Sequence, residues 1–545
     1  MKKSVLINSI LLVIVAMFTY LNAPNLNPFY GDGAFTWLFT ISLFIIVNTV
    51  SNFKIFNIST SVNGQAVFDL NKNVRFKKGG IITLVVVWVL FFTVVFGSTS
   101  LFNWKAYRDQ LKEPTVENFT KDVSPFDVNQ VPIVDKALAS KLADKKLGEN
   151  SLGSQVTLGE PTIQQVNNKL IWVVPLHHSG FFKWLTNMDG TPGYVTVSAT
   201  NVQDVEYVKN HKVKIHPNSY FNYDLQRHTR FSKALFKGIT DYSFELDEER
   251  NPYWVVTTYK NTRGFSLPEA DGAIVVNATT GECKDYKLKD IPAWVDRVQP
   301  EDFIMEQINN RGKYVNGIFN FSNKGKFQSS EGDIIVYSNN KCYLFTGITS
   351  VGADESAISF YMVDMVTKKT KEFKMSGATE YAAMNSAEGN VQDLGYKATF
   401  PIVLNVASQP TYFMTLKDNE GLIKQFAFVS IKDYSVVGTA DNIAGAMKNF
   451  EKSLQNSAGS PNLAKEVKEK VKVTGTVDRI GVAVEGGNTM YTITLVEKPN
   501  AIFKVSVDKN ASLSITKPQD QVEIEFETEA PVTVATNFVN KTINK

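Results

Sequence analysis

The sequence predicts a membrane-anchored α+β protein: three N-terminal transmembrane helices, repeated helix plus antiparallel-sheet modules, and a small C-terminal β-barrel. Three observations carry this reading. Near-continuous apolar runs occupy residues 5–21, 34–50 and 81–96, aromatic-led strand pairs recur through the middle of the chain, and five strand-like runs follow residue 470. A chain of 545 residues exceeds what one hydrophobic core usually serves, so several domains are expected. A net charge of +3 gives no basic excess of the kind that binds nucleic acid.

Each apolar run, with its flanks, is long enough to cross a hydrocarbon core of about 30 Å as a helix. The third, IITLVVVWVLFFTVVF, has no charge and no polar face. Lysine and arginine placement sets the expected orientation. Lys2 and Lys3 precede the first run, and Lys54, Lys72, Arg75, Lys77 and Lys78 separate the second from the third, whereas residues 22–33 contain neither type. The amino terminus is therefore expected in the cytoplasm and everything after Ser98 outside it, in a multi-pass protein of the cell membrane. Just beyond the third run, Trp104 and Tyr107 stand among Lys105, Arg108 and Lys112, a composition suited to an interfacial helix at headgroup level. Residues 1–112 are thus read as the anchor.

Residues 113–440 repeat one arrangement at intervals of about 70 to 90 residues. An aromatic-led strand, a turn-rich stretch, an alternating strand and often a third short strand follow one another. The leading strands centre on Trp172, Trp254, Tyr343 and Tyr412. Alternation at Val195, Val197 and Ala199 indicates half-buried antiparallel strands. Helical sequence precedes several copies, as in VPIVDKALASKLADKKLGE, with Ile133, Ala137, Leu138 and Leu142 on one stripe, and EDFIMEQINNRG. The turn Asn277-Ala278-Thr279-Thr280-Gly281, echoed by Asp364 and Thr367 with Lys368 in place of glycine, and by Ser198 and Asn201, resembles that of the PepSY family of small extracytoplasmic modules. The resemblance implies a binding or inhibitory module at the cell envelope rather than an enzyme.

Residues 441–470 read as a helical linker around a Ser/Gly/Pro hinge. Residues 471–545 carry the five strand-like runs expected of an OB-like β-barrel, with Gly475 as a candidate bend in the first strand. OB barrels often bind single-stranded nucleic acid. Here six basic residues face nine acidic ones between positions 471 and 540, which makes that partner unfavourable.

Chemistry is sparsely signalled. All five histidines, His177, His178, His211, His216 and His228, fall in one short stretch. Imidazole suits metal binding and proton transfer, so His177, His211 and His216 are metal candidates for an alternative reading as a metal-assisted hydrolase. Their spacing matches no zinc motif, and adjacent histidines on a strand point to opposite faces, so His177 and His178 are not expected to share a ligand. The loop with Phe181, Phe182, Lys183 and Trp184 is a candidate contact for the bilayer or a partner, with core packing as the competing role. Cys283 and Cys342 are either one disulfide or two separate thiols. No nucleotide, dinucleotide or serine-hydrolase fingerprint is present, and no cofactor is implied. The expectation is a non-catalytic envelope protein that binds another envelope protein, a peptide or wall polymer. A structural subunit of a secretion or DNA-transfer machine is a further alternative.

Overall fold

The computed structural model describes residues 2–51, 56–60, 66–70, 78–119, 123, 131–338, 340–352, 356–406, 408–457, 471–485, 488–507, 510–526 and 532–543. The chain divides into two compact units, Met1–Phe450 and Glu451–Lys545.

Three helices, α1 (Lys2–Asn22), α2 (Gly31–Ser51) and α3 (Lys78–Gly97), are long and apolar enough to cross a membrane. Almost all their side chains lie outside the protein's own core, as expected of surfaces that face lipid. Polar groups tie them to one another. Asn8 and Asn48 exchange amide hydrogen bonds of 3.0 and 2.7 Å between α1 and α2, and the Trp88 indole on α3 donates to Ser42 Oγ on α2 at 3.2 Å. Between α2 and α3 a hairpin pairs β1 (Phe56–Thr60) with β2 (Ala66–Leu70).

Helix α4 (Ser100–Asp109) does not simply prolong α3. Asn103 departs from helical geometry, and the Tyr107 hydroxyl donates to the backbone oxygen of Ser98 at 3.1 Å. A straight helix would carry Tyr107 about 13 Å beyond Ser98, farther than a tyrosine side chain reaches. The chain therefore turns across the end of α3 before β3 (Thr115–Glu117).

The four aromatic-led segments each lie in their own antiparallel sheet. The first follows α5 (Lys136–Glu149) and contains β4 (Val156–Leu158), β5 (Thr162–Val166), β6 (Lys169–His178), β7 (Tyr194–Ser198) and β8 (Val205–Val208) in the order β4-β6-β7-β8, with β5 also on β6. A short helix, α6 (Phe181–Thr186), follows β6. The second follows α7 (Leu225–Lys233), with β9 (Gly238–Leu246), β10 (Pro252–Arg263), β11 (Ser266–Asn277) and β12 (Cys283–Lys287) in reverse order. The third follows α8 (Glu301–Lys313) and holds β13 (Phe327–Ser329), β14 (Ile334–Ser338), β15 (Lys341–Ser350), β16 (Ser356–Asp364), β17 (Thr370–Phe373) and β18 (Gly377–Ala378), with β3 added in parallel to β17. The fourth follows α9 (Glu380–Asn390) with β19 (Lys397–Ala398), β20 (Ile402–Val406), β21 (Gln409–Lys417), β22 (Ile423–Ser430) and β23 (Val437–Ala440), and is followed by α10 (Ile443–Asn456).

One hydrogen-bond scheme runs through all four. Ahead of each helix, an extended segment donates backbone N–H groups to the carbonyl just after the second long strand: Val134 to Ala199, Ile215 to Ala278, Gln299 to Met365 and Ala378 to Ile431. The leading aromatic then donates back to that same segment in three copies. Trp172 reaches Val134 O at 2.7 Å, Trp254 reaches Ile215 O at 2.8 Å, and Tyr412 reaches Ala378 O at 3.0 Å.

The turns match as well. Asn277 Oδ1 accepts from the N–H groups of Thr279 and Thr280, and Asp364 Oδ1 accepts from Val366 and Thr367. Gly281 at φ +81° and Lys368 at φ +59° occupy the same left-handed position. The Lys368 side chain there makes an ion pair of 2.5 Å with Glu269 and also reaches Gln110 O at 3.2 Å.

Two sequence expectations shift. Helix α5 starts at Lys136, capped by Asp135 accepting from Leu138 N, and buries Leu138, Ala139, Ala143 and Leu147 while Ala137 is exposed. The apolar stripe is thus rotated by one residue. The expected linker lies partly outside the described residues, which resume at Val471.

In the second unit, β24 (Val471–Glu485) pairs with β27 (Gln521–Phe526) over its first half and with β25 (Asn488–Leu495) over its second, and β26 (Lys498–Ser506) follows β25. The partner change falls at the register shift between Val477 and Arg479, not at Gly475, which instead lets Glu497 approach and accept from Thr476 N at 2.7 Å. Strand β28 (Val532–Val534) runs parallel to β26, and β29 (Asn537–Asn540) antiparallel to β27, so a half-barrel sheet curls round Phe503, Phe526 and Phe538.

Candidate functional site

A cleft of about 670 Å³ opens in the first unit between the first, third and fourth sheets. Strand β14, which pairs with β15, lines one part of it, and β20, which pairs with β21, lines another. Gln165, Asn168, Ser338 and Asn340 supply amide and hydroxyl groups, Lys169 and Asp204 supply one charge of each sign, and Ile335, Val336 and Val403 supply apolar surface. Two strands that each pair along one edge, set among amides, aliphatic side chains and one charge of each sign, suit an extended chain.

Beneath the cleft a buried polar network clamps three sheets together. Tyr337 stands 2.9 Å from Ile163 O and 3.0 Å from Asp296 Oδ2, which also accepts from Gln165 N at 3.0 Å. Asp296 N donates to Glu245 Oε2 at 3.0 Å, and Ser243 Oγ donates to Glu245 Oε1 at 2.6 Å. Burial, reinforced by the Asp296 charge, pushes the Glu245 carboxyl up to about 8. Burial likewise raises Asp296 to about 6, against the hydrogen bonds that favour its ionised form.

The histidines converge differently from expectation. His177 and His178 are the last two residues of β6, in register with Thr157 and Val156 of β4. His216 lies between them: its ring stacks on His177 at 5.0 Å, and its Nε2 is 3.0 Å from His178 Nδ1. His216 Nδ1 is 2.8 Å from Pro217 O and so carries a proton, which leaves Nε2 to accept from His178. His177 Nε2 is buried with no partner among the described residues, and the His178 ring lies against the Asn187 backbone. Desolvation, with the neighbouring imidazoles, lowers His177 to about 4 and His216 to about 3. Stacked rings present faces, not converging nitrogens, and among the described residues no group of three or more His, Cys, Asp or Glu is placed to hold a metal ion. His211 is stacked on Tyr194 instead, and His228 Nε2 is 2.7 Å from Gly281 O.

The aromatic loop divides. On α6 the Trp184 ring is 3% exposed, packed among Phe181, Tyr220, Phe221 and Tyr223, whereas Phe182 is 78% exposed. Trp184 is therefore core, contrary to the contact role considered for it, because a helical turn sends positions 182 and 184 to different faces. The neighbouring Asn222 accepts from the Tyr20 hydroxyl at 2.9 Å, so the loop sits beside the C-terminal end of α1. Trp104 packs against Gly317, and Tyr107 meets Tyr314 edge-on at 6.1 Å.

Sequence reasoning missed the residues that seat the body on the helices. Arg227 donates to Tyr20 O and Leu21 O, both at 2.8 Å, and buried Arg230 donates to Ala23 O at 3.2 Å. The β10–β11 hairpin reaches down to place the Phe265 ring 5.7 Å from Phe91 on α3. Gly264, at φ +53°, permits this, since a Cβ would meet Ser98 Oγ at 2.1 Å. No disulfide joins Cys283 and Cys342. Both thiols are free, in separate sheets, and burial pushes Cys342 up to about 12.

No protein-family model matches the chain, and neither does any curated protein. Among solved structures the chain is similar to a mutant of a Synechocystis apocarotenoid oxygenase, at 9% identity and a TM-score of 0.14, over 71% of this chain and 65% of that one. At that score the likeness carries no argument.

Proposed function

We propose that the chain is a membrane-anchored, non-catalytic binding protein of the cell envelope, with its body outside the cytoplasm and an extended polypeptide as the occupant of its cleft. The observation that carries the reading is the cleft itself, lined by β14 and β20, each of which has a single sheet partner among the described residues. A strand added along such an edge gains main-chain hydrogen bonds, and the aliphatic residues between the amides select alternate side chains. The repeated turn at Asn277 and Asp364 supports the PepSY-like reading of the modules. The parallel pairing of β26 with β28 supports an OB-like second unit, read as a further interaction domain. The outward orientation of the body rests on the basic residues that flank α1 and precede α3.

The test is selection of displayed peptides on the full-length protein in nanodiscs. Extended apolar peptides should be enriched on the wild type and lost on Val403→Arg. Identical enrichment on both proteins, or none, would overturn the assignment. For orientation, a cysteine placed at Asn103 should react with an impermeant thiol reagent in intact cells, while one at Asn63 should not.

A further inference from the structure

Beyond the cleft, the exit of α3 carries a second aromatic feature. After α8 the chain forms a loop, residues 314–326, in which Phe319 is 75% and Phe321 85% exposed, with the rings 6.2 Å apart. The exposure is held in place by the loop's own bonds. Asn316 and Asn320 both donate to Lys324 O, at 2.6 and 2.9 Å, Phe321 N donates to Phe319 O at 2.9 Å, and Ser322 Oγ donates to Asn320 Oδ1 at 3.0 Å. Two large apolar rings fixed outward are tolerated chiefly where another surface covers them.

The position of the loop says what that surface is. Gly317 lies against Trp104, whose helix turns back across the end of α3 so that Tyr107 hydrogen-bonds Ser98. Phe102 and Leu101 on the same helix are also exposed, and Phe102 meets Phe96, in the last turn of α3, at 5.2 Å. The apolar surface is thus continuous from α3 through α4 towards the loop. Lys105 and Arg108 bracket the Trp104 ring at 5.6 and 5.5 Å, and Lys313, Lys324 and Lys326 lie on the loop side, a basic fringe suited to anionic headgroups.

We infer that Phe319 and Phe321 insert into the interfacial layer of the bilayer beside the exit of α3, forming a second membrane-resting edge opposite to Phe182 in sequence but equivalent in chemistry. The inference rests on α1 to α3 crossing the membrane. Lipid, not a protein partner, is the occupant because the loop is seated on the helix that leaves the bilayer.

The test is nitroxide accessibility in nanodiscs of phosphatidylcholine and phosphatidylglycerol. Full-length protein in a Cys283→Ser background is labelled singly at Phe319→Cys, Phe321→Cys, Phe92→Cys or Glu420→Cys. Phe92 lies within α3 and Glu420 on an exposed turn of the body. Labels at 319 and 321 should collide with oxygen more often than with a water-soluble nickel complex, by a ratio several-fold above that at 420. If the label at 92 shows the lipid signature while 319 and 321 match 420, the loop inference is wrong and the membrane reading stands. If 92 also behaves as water-exposed, both fall.

Discussion

Trp254 donates its indole N–H to the backbone oxygen of Ile215 just as Trp172 donates to that of Val134, each fastening a central strand to the segment that leads into its helix. The bond is buried in both sheets, so removing the donor leaves a carbonyl without its partner. Trp254→Phe should lower stability by about 1 to 3 kcal/mol, read as a fall in the melting temperature of the detergent-solubilised protein. An unchanged melting point would mean that the scheme is ornamental.

Phe182 and Trp184 separate contact from core on one short helix. Trp184→Ser should destabilise by roughly 3 to 5 kcal/mol, whereas Phe182→Ser should alter melting by no more than about 0.5 kcal/mol. The same Phe182 variant should weaken bilayer contact, measured as lower lipid quenching of a probe on α6. Equal melting losses in both variants would return the whole loop to the core.

His177 and His216 make stability depend on pH in a definite direction. Their folded values, about 4 and about 3, lie below the ordinary 6.5, so the folded state favours neutral rings. The stabilisation is complete above pH 6.5 and is lost as pH falls through 6.5 towards those values, at up to about 1.4 kcal/mol per pH unit for each ring. Denaturation midpoints between pH 7.5 and 4.5 should decline less steeply in His216→Phe than in the wild type. Parallel curves would show that the pair does not titrate in this range.

Glu245 acts in the opposite sense. A carboxyl raised from 4.5 to about 8 by burial opposes folding progressively as pH rises between those values. Glu245→Gln, which keeps an acceptor for Asp296 N, should be neutral near pH 4 and stabilising at pH 8. A loss of stability at pH 8 would show that the ionised carboxylate is held favourably after all.

What was legible in the sequence was local. The uninterrupted apolar run of α3 needs no partner to be recognised, and neither does the alternation around Val195 or the Asn277 turn. The third copy of that turn is legible from Asp364 and Thr367, although Lys368 stands at its left-handed position where glycine is favoured. The cleft and the Glu245 network are assembled from Gln165, Glu245, Asp296, Tyr337 and Val403, residues that carry no signal until the sheets are stacked. The histidines are legible as a group, but the approach of His216 to both His177 and His178 depends on a non-local contact that the sequence does not signal. Phe319 and Phe321, set between Gly317 and Gly325, form the same pattern as the loop after His178 and were open to the same reasoning.

Arg227 and Arg230 change how load passes through the molecule. The polypeptide passes from α3 into the body through α4, and a tether at that point alone would let the body swivel. The guanidinium groups grip the carbonyl ends of α1 and the start of its loop at a second point, some distance from the first. Torque on the body is thereby delivered to α1 as well as α3, and the hairpin tip at Phe265 rests against the third helix as a stop.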